Sequence, residues 1–256
     1  MLKIVIENKI FFFTSILILL IFSSIISFPN VSLDLYFNHK YINVAESINN
    51  LFRIAPKEGI NDLSTFPIWG YGIVHWIFNS SKLNILIFQQ VLNFCSIYLL
   101  DKVIRKNHQK SLFIWRMLVL VGFPYFLFHT QLWPKSISSS LLILAFIHLI
   151  NYFTDRKKTQ LIFSGLLFGL LCNFRSDYIY FILFIPIFLI FWEIIEKKNP
   201  TIFSFSTSII PFLTLLLLIP WGLFSYLKTN HFLITSTNSG HTLFIGLGQL
   251  PGNEWG

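Results

Sequence analysis

The chain of 256 residues contains few charged side chains. Only 12% of its residues are Asp, Glu, Lys or Arg, whereas soluble domains carry about 25%. Hydrophobic residues make up 54% of the chain, and thirty residues are Phe. A soluble fold of this length cannot hide so much apolar surface, because the fraction of surface that it removes from water is limited. The composition therefore excludes a soluble domain and predicts a helical protein that uses the lipid bilayer as its solvent.

Cysteine is also scarce, and its placement argues against a disulfide framework or a cysteine-based zinc site. Cys95 and Cys172 lie in separate apolar segments without a CxxC spacing, which predicts two buried side chains. The histidines His75, His148 and His231 show no metal-ligand spacing, and we interpret them as hydrogen-bonded or interfacial residues. Phosphate-binding, dinucleotide-binding and Ser–His–Asp signatures are absent.

Long apolar runs recur along the sequence and predict membrane spans. Seven candidate spans lie at about residues 10–27, 83–101, 112–129, 137–153, 159–174, 178–195 and 203–226. A further run at 66–78 is too short to cross and contains Pro67, Gly70 and Gly72, which predicts a re-entrant or interfacial helix. The predicted fold class is an all-α integral membrane protein with about seven transmembrane helices, this additional helix and an extracytoplasmic first loop.

The domain organisation follows from the spans. Residues 1–226 are predicted to form the transmembrane domain, with the first outer loop at 28–82, and residues 227–256 to begin an extracytoplasmic loop. The loop-like final residues predict that the chain is the N-terminal portion of a longer protein. Gly165 and Gly169 have the small-xxx-small spacing that permits a second helix to approach closely.

The net charge of +8 is distributed unevenly between the two predicted sides. With the N-terminus inside, the inner segments hold twelve of the nineteen basic residues against five acidic ones, while the outer segments hold seven against six. By the positive-inside rule this predicts a cytoplasmic N-terminus. The excess of positive charge is then a topology signal, and no nucleic-acid partner is predicted. A signal peptide is the alternative for residues 10–26, but the run is long and no A-x-A site follows, which favours an uncleaved anchor.

The longest polar stretch of the chain, residues 28–65, lies on the predicted outer side. Tyr41, Val44, Ala45, Ile48 and Leu51 fall on one face at helical spacing within it. This pattern predicts an amphipathic helix that lies on the membrane surface.

Acidic side chains of this stretch are candidates for a general base. Asp34 lies ahead of the predicted surface helix, where a carboxylate can accept a proton from an acceptor group. Glu46 and Asp62 are alternatives, and a solvated or helix-capping acid is the non-catalytic interpretation. Tyr41, at the start of the helix, is a candidate substrate contact.

Three further predicted outer segments carry groups that suit a polar or anionic ligand. Arg175 offers a planar fork for phosphate or carboxylate, with a snorkelling side chain or a local ion pair with Asp177 as the alternative. Lys135 follows Trp133 at another turn, where it is either a second phosphate contact or an interfacial anchor. Asn238 lies in a stretch of Ser, Thr and Gly that suits hydrogen bonding to a ligand, although an ordinary loop has a similar composition.

Several short motifs follow one another in a distinctive order. The outer loop with its acid and its Tyr-x-x-x-Ala helix is followed by FPIWGYG at 66–72, GLLFG at 165–169, FRSD at 174–177, and Pro-Trp at 220–221 before STNSG at 236–240. This order resembles the start of GT-C glycosyltransferases. The similarity is greatest to bacterial relatives of the dolichyl-phosphate-mannose protein mannosyltransferases and of the lipid A aminoarabinose transferase.

The resemblance implies transfer of a sugar from a polyprenyl-phosphate carrier to a lipid, glycan or protein acceptor, with inversion at the anomeric carbon. It also implies that the transfer occurs on the outer side of a bacterial inner membrane. It implies that an acid of the first outer loop is catalytic, and Asp34 is the best match. No cofactor is required by the sequence, and a divalent metal is left open. The alternatives are a transporter or flippase-like protein and a truncated relative that has lost activity.

Overall fold

The computed structural model describes residues 8–27, 41–42, 44–46, 48, 69–107, 109–121, 132–195 and 205–235. These residues form helices and connecting turns, with no strand among them. In chain order the helices are α1 Lys9–Ser27, α2 Gly70–Ile77, α3 Lys82–Asn107, α4 Leu112–Val121, α5 Pro134–Asp155, α6 Lys158–Phe174, α7 Tyr178–Ile195 and α8 Phe205–Thr229. The predicted all-α class is therefore confirmed for the described part of the chain.

Three described helical segments are long and apolar enough to cross a bilayer, namely Lys82–Asn107, Pro134–Asp155 and Ser208–Tyr226. Shorter apolar helices are Lys9–Ile25, Lys158–Phe174 and Tyr178–Trp192. All six coincide with predicted spans, and α4 begins where the span at 112–129 was expected to begin. The total of seven spans stays a prediction.

The helix α6 lies at the centre of the bundle, between α5 and α8. Its two glycines face α8. A Cβ added to Gly165 would lie 3.2 Å from the Cα of Ile210, and one added to Gly169 would lie 3.1 Å from the Cα of Thr214. The two backbones therefore approach closely along this line, which confirms the prediction from the glycine spacing.

A buried ion pair joins α3 to α4. Arg116 Nε donates to Asp101 Oδ1 at 2.8 Å and Nη2 donates to Oδ2 at 3.0 Å, and both side chains are 0% exposed. Arg105 lies 3.5 Å from the same carboxylate, and the Arg116 guanidinium lies 4.8 Å from the centroid of the Phe12 ring in α1. This cluster connects α1, α3 and α4.

The end of the bundle that holds this cluster is opposite to the end at Arg175. Lys106 Nζ lies 3.8 Å from Asp155 Oδ1, which brings the last turns of α3 and α5 together. The helix α6 begins at Lys158, close after Asp155, and ends at Phe174. The length of α6 therefore separates Arg175 from the buried pair.

Large apolar side chains remain exposed on the outside of the bundle. On α7, for example, Phe184 and Phe191 are 65% and 61% exposed. Cys95 is exposed on α3 whereas Cys172 is buried, so the predicted burial is confirmed for Cys172 and wrong for Cys95. An apolar segment predicts that its side chains are removed from water. Contact with the bilayer removes a side chain from water without burying it inside the protein.

Candidate functional site

The short helix α2 is packed between two other parts of the chain. A Cβ added to Gly70 would collide with the backbone carbonyl of Asn173 at the end of α6. A Cβ added to Gly72 would collide with the side chain of Val44, in the segment predicted to be a surface helix. Each glycine therefore permits a contact that no larger residue allows, and together they bring α6 and the Val44 segment to one helix. The re-entrant placement of α2 stays a prediction.

The surface-helix segment agrees with its predicted pattern where it is described. Residues 41, 42, 44–46 and 48 are helical, and Leu51 lies outside the described residues. Val44 and Ala45 are 7% and 4% exposed, whereas Glu46 is exposed. The apolar face of the segment therefore packs on the protein.

The turn between α6 and α7 contains an exposed ion pair. Arg175 Nε donates to Asp177 Oδ1 at 3.2 Å, and Nη2 donates to Oδ2 in the second arm of a bidentate pair. The two side chains are 33% and 59% exposed. The guanidinium also lies 5.7 Å from the centroid of the Tyr178 ring. The local pair that the sequence left as an alternative is thus formed, at a position open to a ligand.

Tyr41 packs on α2, within electrostatic range of this turn. Its ring packs edge-on against Tyr71, with the centroids 5.0 Å apart, and is stacked over His75 at 6.4 Å. Burial raises the pKa of the Tyr41 phenol to about 12, against an opposing effect of the Arg175 charge. Tyr41 therefore remains a neutral hydrogen-bond donor at ordinary pH, within electrostatic range of the guanidinium.

Behind Tyr41 lies a layer of buried polar groups. Tyr71 Oη donates to Gln89 Oε1 of α3 at 2.8 Å. The side chain of His75 is 1% exposed, and among the described residues neither of its ring nitrogens has a hydrogen-bond partner. The expected hydrogen bond of His75 is thus not formed within the described part of the chain, where the rings of Tyr41 and Tyr71 pack against the imidazole. Burial lowers the pKa of His75 to about 4, so the imidazole is neutral at physiological pH.

The remaining predicted site residues are placed differently. Lys135 is exposed, and its ammonium lies 4.9 Å from the centroid of the Trp133 ring, which is the geometry of the anchor interpretation. Asp34, Asp62 and Asn238 lie outside the described residues. Within the described ranges, no three His, Cys, Asp or Glu side chains are grouped so that they could hold a metal ion. Of the predicted contacts, Tyr41 and Arg175 lie within electrostatic range of each other.

Two residues that the sequence interpretation did not single out help to build the site. The Asn173 amide accepts from Trp69 Nε1 at 2.7 Å and donates to two backbone carbonyls, while Gln89 accepts from Tyr71. Asn173 and Gln89 are both polar side chains inside apolar segments, where an unpartnered polar group is costly. That signal identifies them as residues that need partners, although it does not name the partners.

Comparison with known proteins gives one family. The chain matches the family described as dolichyl-phosphate-mannose-protein mannosyltransferase over residues 64–224. No curated protein and no solved structure gives a significant match. Arg175 and Lys135 lie inside the matched segment, whereas Asp34, Tyr41 and Asn238 lie outside it.

Proposed function

This chain belongs to the dolichyl-phosphate-mannose-protein mannosyltransferase family, of GT-C type, and on that premise we propose that it transfers a sugar from a polyprenyl-phosphate carrier. The acceptor is a lipid, a glycan or a protein on the extracytoplasmic side of a bacterial inner membrane. Family membership and the apolar helices support a membrane glycosyltransferase in general. The donor, the acceptor and the side are the specific parts of the proposal.

The main support for the proposal is that the guanidinium of Arg175 is accessible. Its bidentate partner is the carboxylate of Asp177, and a phosphate presents a similar pair of oxygens. An ion pair between exposed side chains contributes only about 0.2–1 kcal/mol, so an incoming phosphate can replace the carboxylate at little cost. The charge of Arg175 acts on the neutral phenol of Tyr41, which makes this phenol the second group that we assign to the phosphate.

The mechanism assigns one role to each group. Asp34 accepts the proton of the acceptor hydroxyl as its oxygen forms a bond to the sugar C1. The bond between C1 and the phosphate oxygen breaks on the opposite face, and the electron pair leaves with the polyprenyl phosphate. Arg175 neutralises the charge that develops there, and Tyr41 and Asn238 contact the substrate. Lys135 anchors the neighbouring turn at Trp133. Attack from the opposite face inverts the anomeric carbon.

The test uses the full-length protein in proteoliposomes that contain polyprenyl-phosphate-linked sugars and candidate acceptors. Asp34→Asn is expected to lower the transfer rate at least about 100-fold, because general-base catalysis contributes about 10²–10⁴-fold. Glu58→Gln, in the same predicted loop, is the matched control and is expected to retain the wild-type rate. Transfer at the wild-type rate by Asp34→Asn contradicts the base assignment. Absence of transfer by the wild-type protein across the donors contradicts the function itself.

A further inference from the structure

Asn173 lies two residues before Arg175, and its side chain forms hydrogen bonds with three helices or helix ends. Its Nδ2 donates to the carbonyl of Gly169 at 2.9 Å, in its own helix, and to the carbonyl of Leu217 in α8 at 3.1 Å. Its Oδ1 accepts from the indole of Trp69, at the start of α2, at 2.7 Å. The side chain is 5% exposed, so these bonds are shielded from water. One amide therefore joins the start of α2 and the end of α6 to the middle of α8.

The backbone of Arg175 follows directly from the end of α6. The helix ends at Phe174, and Arg175 is extended, with φ −146° and ψ 106°. Its N–H still donates to the carbonyl of Leu171 at 2.9 Å, and the Tyr178 N–H donates to its carbonyl at 3.3 Å. The guanidinium therefore starts from a backbone position that the last turn of α6 determines.

Tyr41, in contrast, is positioned by α2. Its ring packs on Tyr71, and the Gly72–Val44 contact places the same segment against α2. The relative position of Arg175 and Tyr41 thus depends on how α2 meets the end of α6. That junction consists of the Trp69–Asn173 hydrogen bond and the backbone contact of Gly70 with Asn173.

We propose that Asn173, held by the Trp69 indole, is a positioning residue that aligns Arg175 with Tyr41 on a lipid-linked phosphate. The inference rests on the proposed transfer. Asn173 and Trp69 do not contact the substrate in this role but act through Arg175 and Tyr41. Positioning of this kind acts on the rate of the chemical step, because a displaced guanidinium stabilises less well the charge that develops in the transition state.

Trp69→Phe isolates the hydrogen bond. The Phe ring retains packing against Trp221 and Phe224, whose centroids lie 6.2 Å and 6.4 Å from that of Trp69, but it has no N–H to donate. The expected result is a fall in kcat of about 10- to 100-fold, with KM for the polyprenyl-phosphate sugar changed less than about 2-fold. Trp192→Phe is the matched control, since Trp192 packs on Phe153 in α5 and is expected to leave kcat unchanged.

A double-mutant cycle separates positioning from general destabilisation. In an Arg175→Ala background, Trp69→Phe is expected to have no further effect on kcat, because the group that it misplaces is gone. Equal losses in both backgrounds overturn the proposal. A merely structural role for Trp69 predicts that equal loss.

A distance measurement tests the junction without any transfer assay. Nitroxide labels at Glu46→Cys and Tyr180→Cys, both exposed, report the separation of the Tyr41 segment from α7 in the full-length protein with Cys95→Ser and Cys172→Ala.

Trp69→Phe is expected to broaden or shift this distance distribution, and Trp192→Phe is expected to leave it unchanged. An unchanged distribution in Trp69→Phe overturns the positioning role, whatever the activity. If Trp69→Phe changes the distribution while the wild-type protein shows no transfer, the junction is supported and the proposed function is rejected.

Discussion

Two bidentate Arg–Asp pairs at opposite ends of the bundle have the same chemistry in opposite surroundings. The buried pair, Arg116 with Asp101, is 0% exposed on both sides and joins α3 to α4. The exposed pair, Arg175 with Asp177, is 33% and 59% exposed and lies within one turn. The difference indicates that exposure, rather than the pairing itself, decides which guanidinium remains available to a ligand.

The physical reason is the cost of removing charge from water. In the buried pair each ion has lost its hydration, so either partner without the other leaves an uncompensated charge. The neighbouring Arg105 and the ring of Phe12 complete that cluster, which makes it a structural connection between helices. In the exposed pair, water solvates both ions, so the exchange of a carboxylate for a phosphate changes the free energy little.

The largest expected effect is on the buried pair. Arg116→Ala should lower the free energy of unfolding by about 3–5 kcal/mol, because it leaves Asp101 charged without its principal partner. Thermal or denaturant unfolding in detergent measures the change. Asp101→Leu with Arg116→Met is the control and should recover most of the loss, since it removes both charges. A loss below about 1 kcal/mol for Arg116→Ala would contradict the distinction between the two pairs.

A smaller loss of stability is expected where α2 meets the end of α6, next to the exposed pair. Gly70→Ala places a Cβ against the backbone carbonyl of Asn173, which cannot move aside, and overpacking of this kind costs about 1–3 kcal/mol. Gly222→Ala is the matched control, because the nearest atoms are the tip of the flexible Phe232 ring. Unfolding midpoints of the two variants give the comparison. Equal midpoints would mean that α2 is not tightly held at Asn173.

Tyr41→Phe tests the hydrogen bond that we propose between the Tyr41 phenol and the phosphate of the donor. Hydrogen bonds to charged groups contribute about 1.5–3 kcal/mol, so the variant should lose about 10- to 100-fold in kcat/KM for the lipid-linked donor. With the pKa of Tyr41 raised to about 12, the phenol is protonated throughout the assay range, and the loss should be constant from about pH 6 to 9.

The same pKa fixes the sign of the effect on stability. Tyr41 binds its proton more tightly when folded, so its contribution is complete below pH 10 and is lost between pH 10 and about 12. Tyr41→Phe should therefore remove part of the alkaline loss of stability in that window. A loss of kcat/KM that changes with pH between 6 and 9 would instead indicate a phenol that ionises in the assay range.

The sequence predicted the features that depend on local pattern. Helical periodicity predicted the buried face of Val44 and Ala45, and residue size at a four-residue spacing predicted that Gly165 and Gly169 face a neighbouring helix. Both depend on the geometry of a single helix, which fixes the direction of side chains.

Tertiary partners were not accessible in this way. Trp69 and Asn173 are 104 residues apart along the chain, and Arg116 and Asp101 belong to two different helices. A sequence pattern within one helix does not predict which side chains come into contact when helices pack. Arg116 is one of the twelve basic residues counted on the predicted inner side, although the fold places it in a buried pair. The contacts of His75 with the rings of Tyr41 and Tyr71 likewise result from three-dimensional packing.

The smallest expected effect is the sharpest test of the exposed pair. If phosphate replaces the carboxylate at Arg175, then Asp177 competes with the donor, and Asp177→Asn should lower KM for the polyprenyl-phosphate sugar by at most about 5-fold. That bound follows because an exposed pair contributes up to about 1 kcal/mol. The free energy of unfolding should change by no more than the same amount, in contrast to the buried pair. Donor binding weakened in Asp177→Asn would mean that Asp177 orients Arg175 for the ligand, and the two ends of the bundle would then differ less than their exposure indicates.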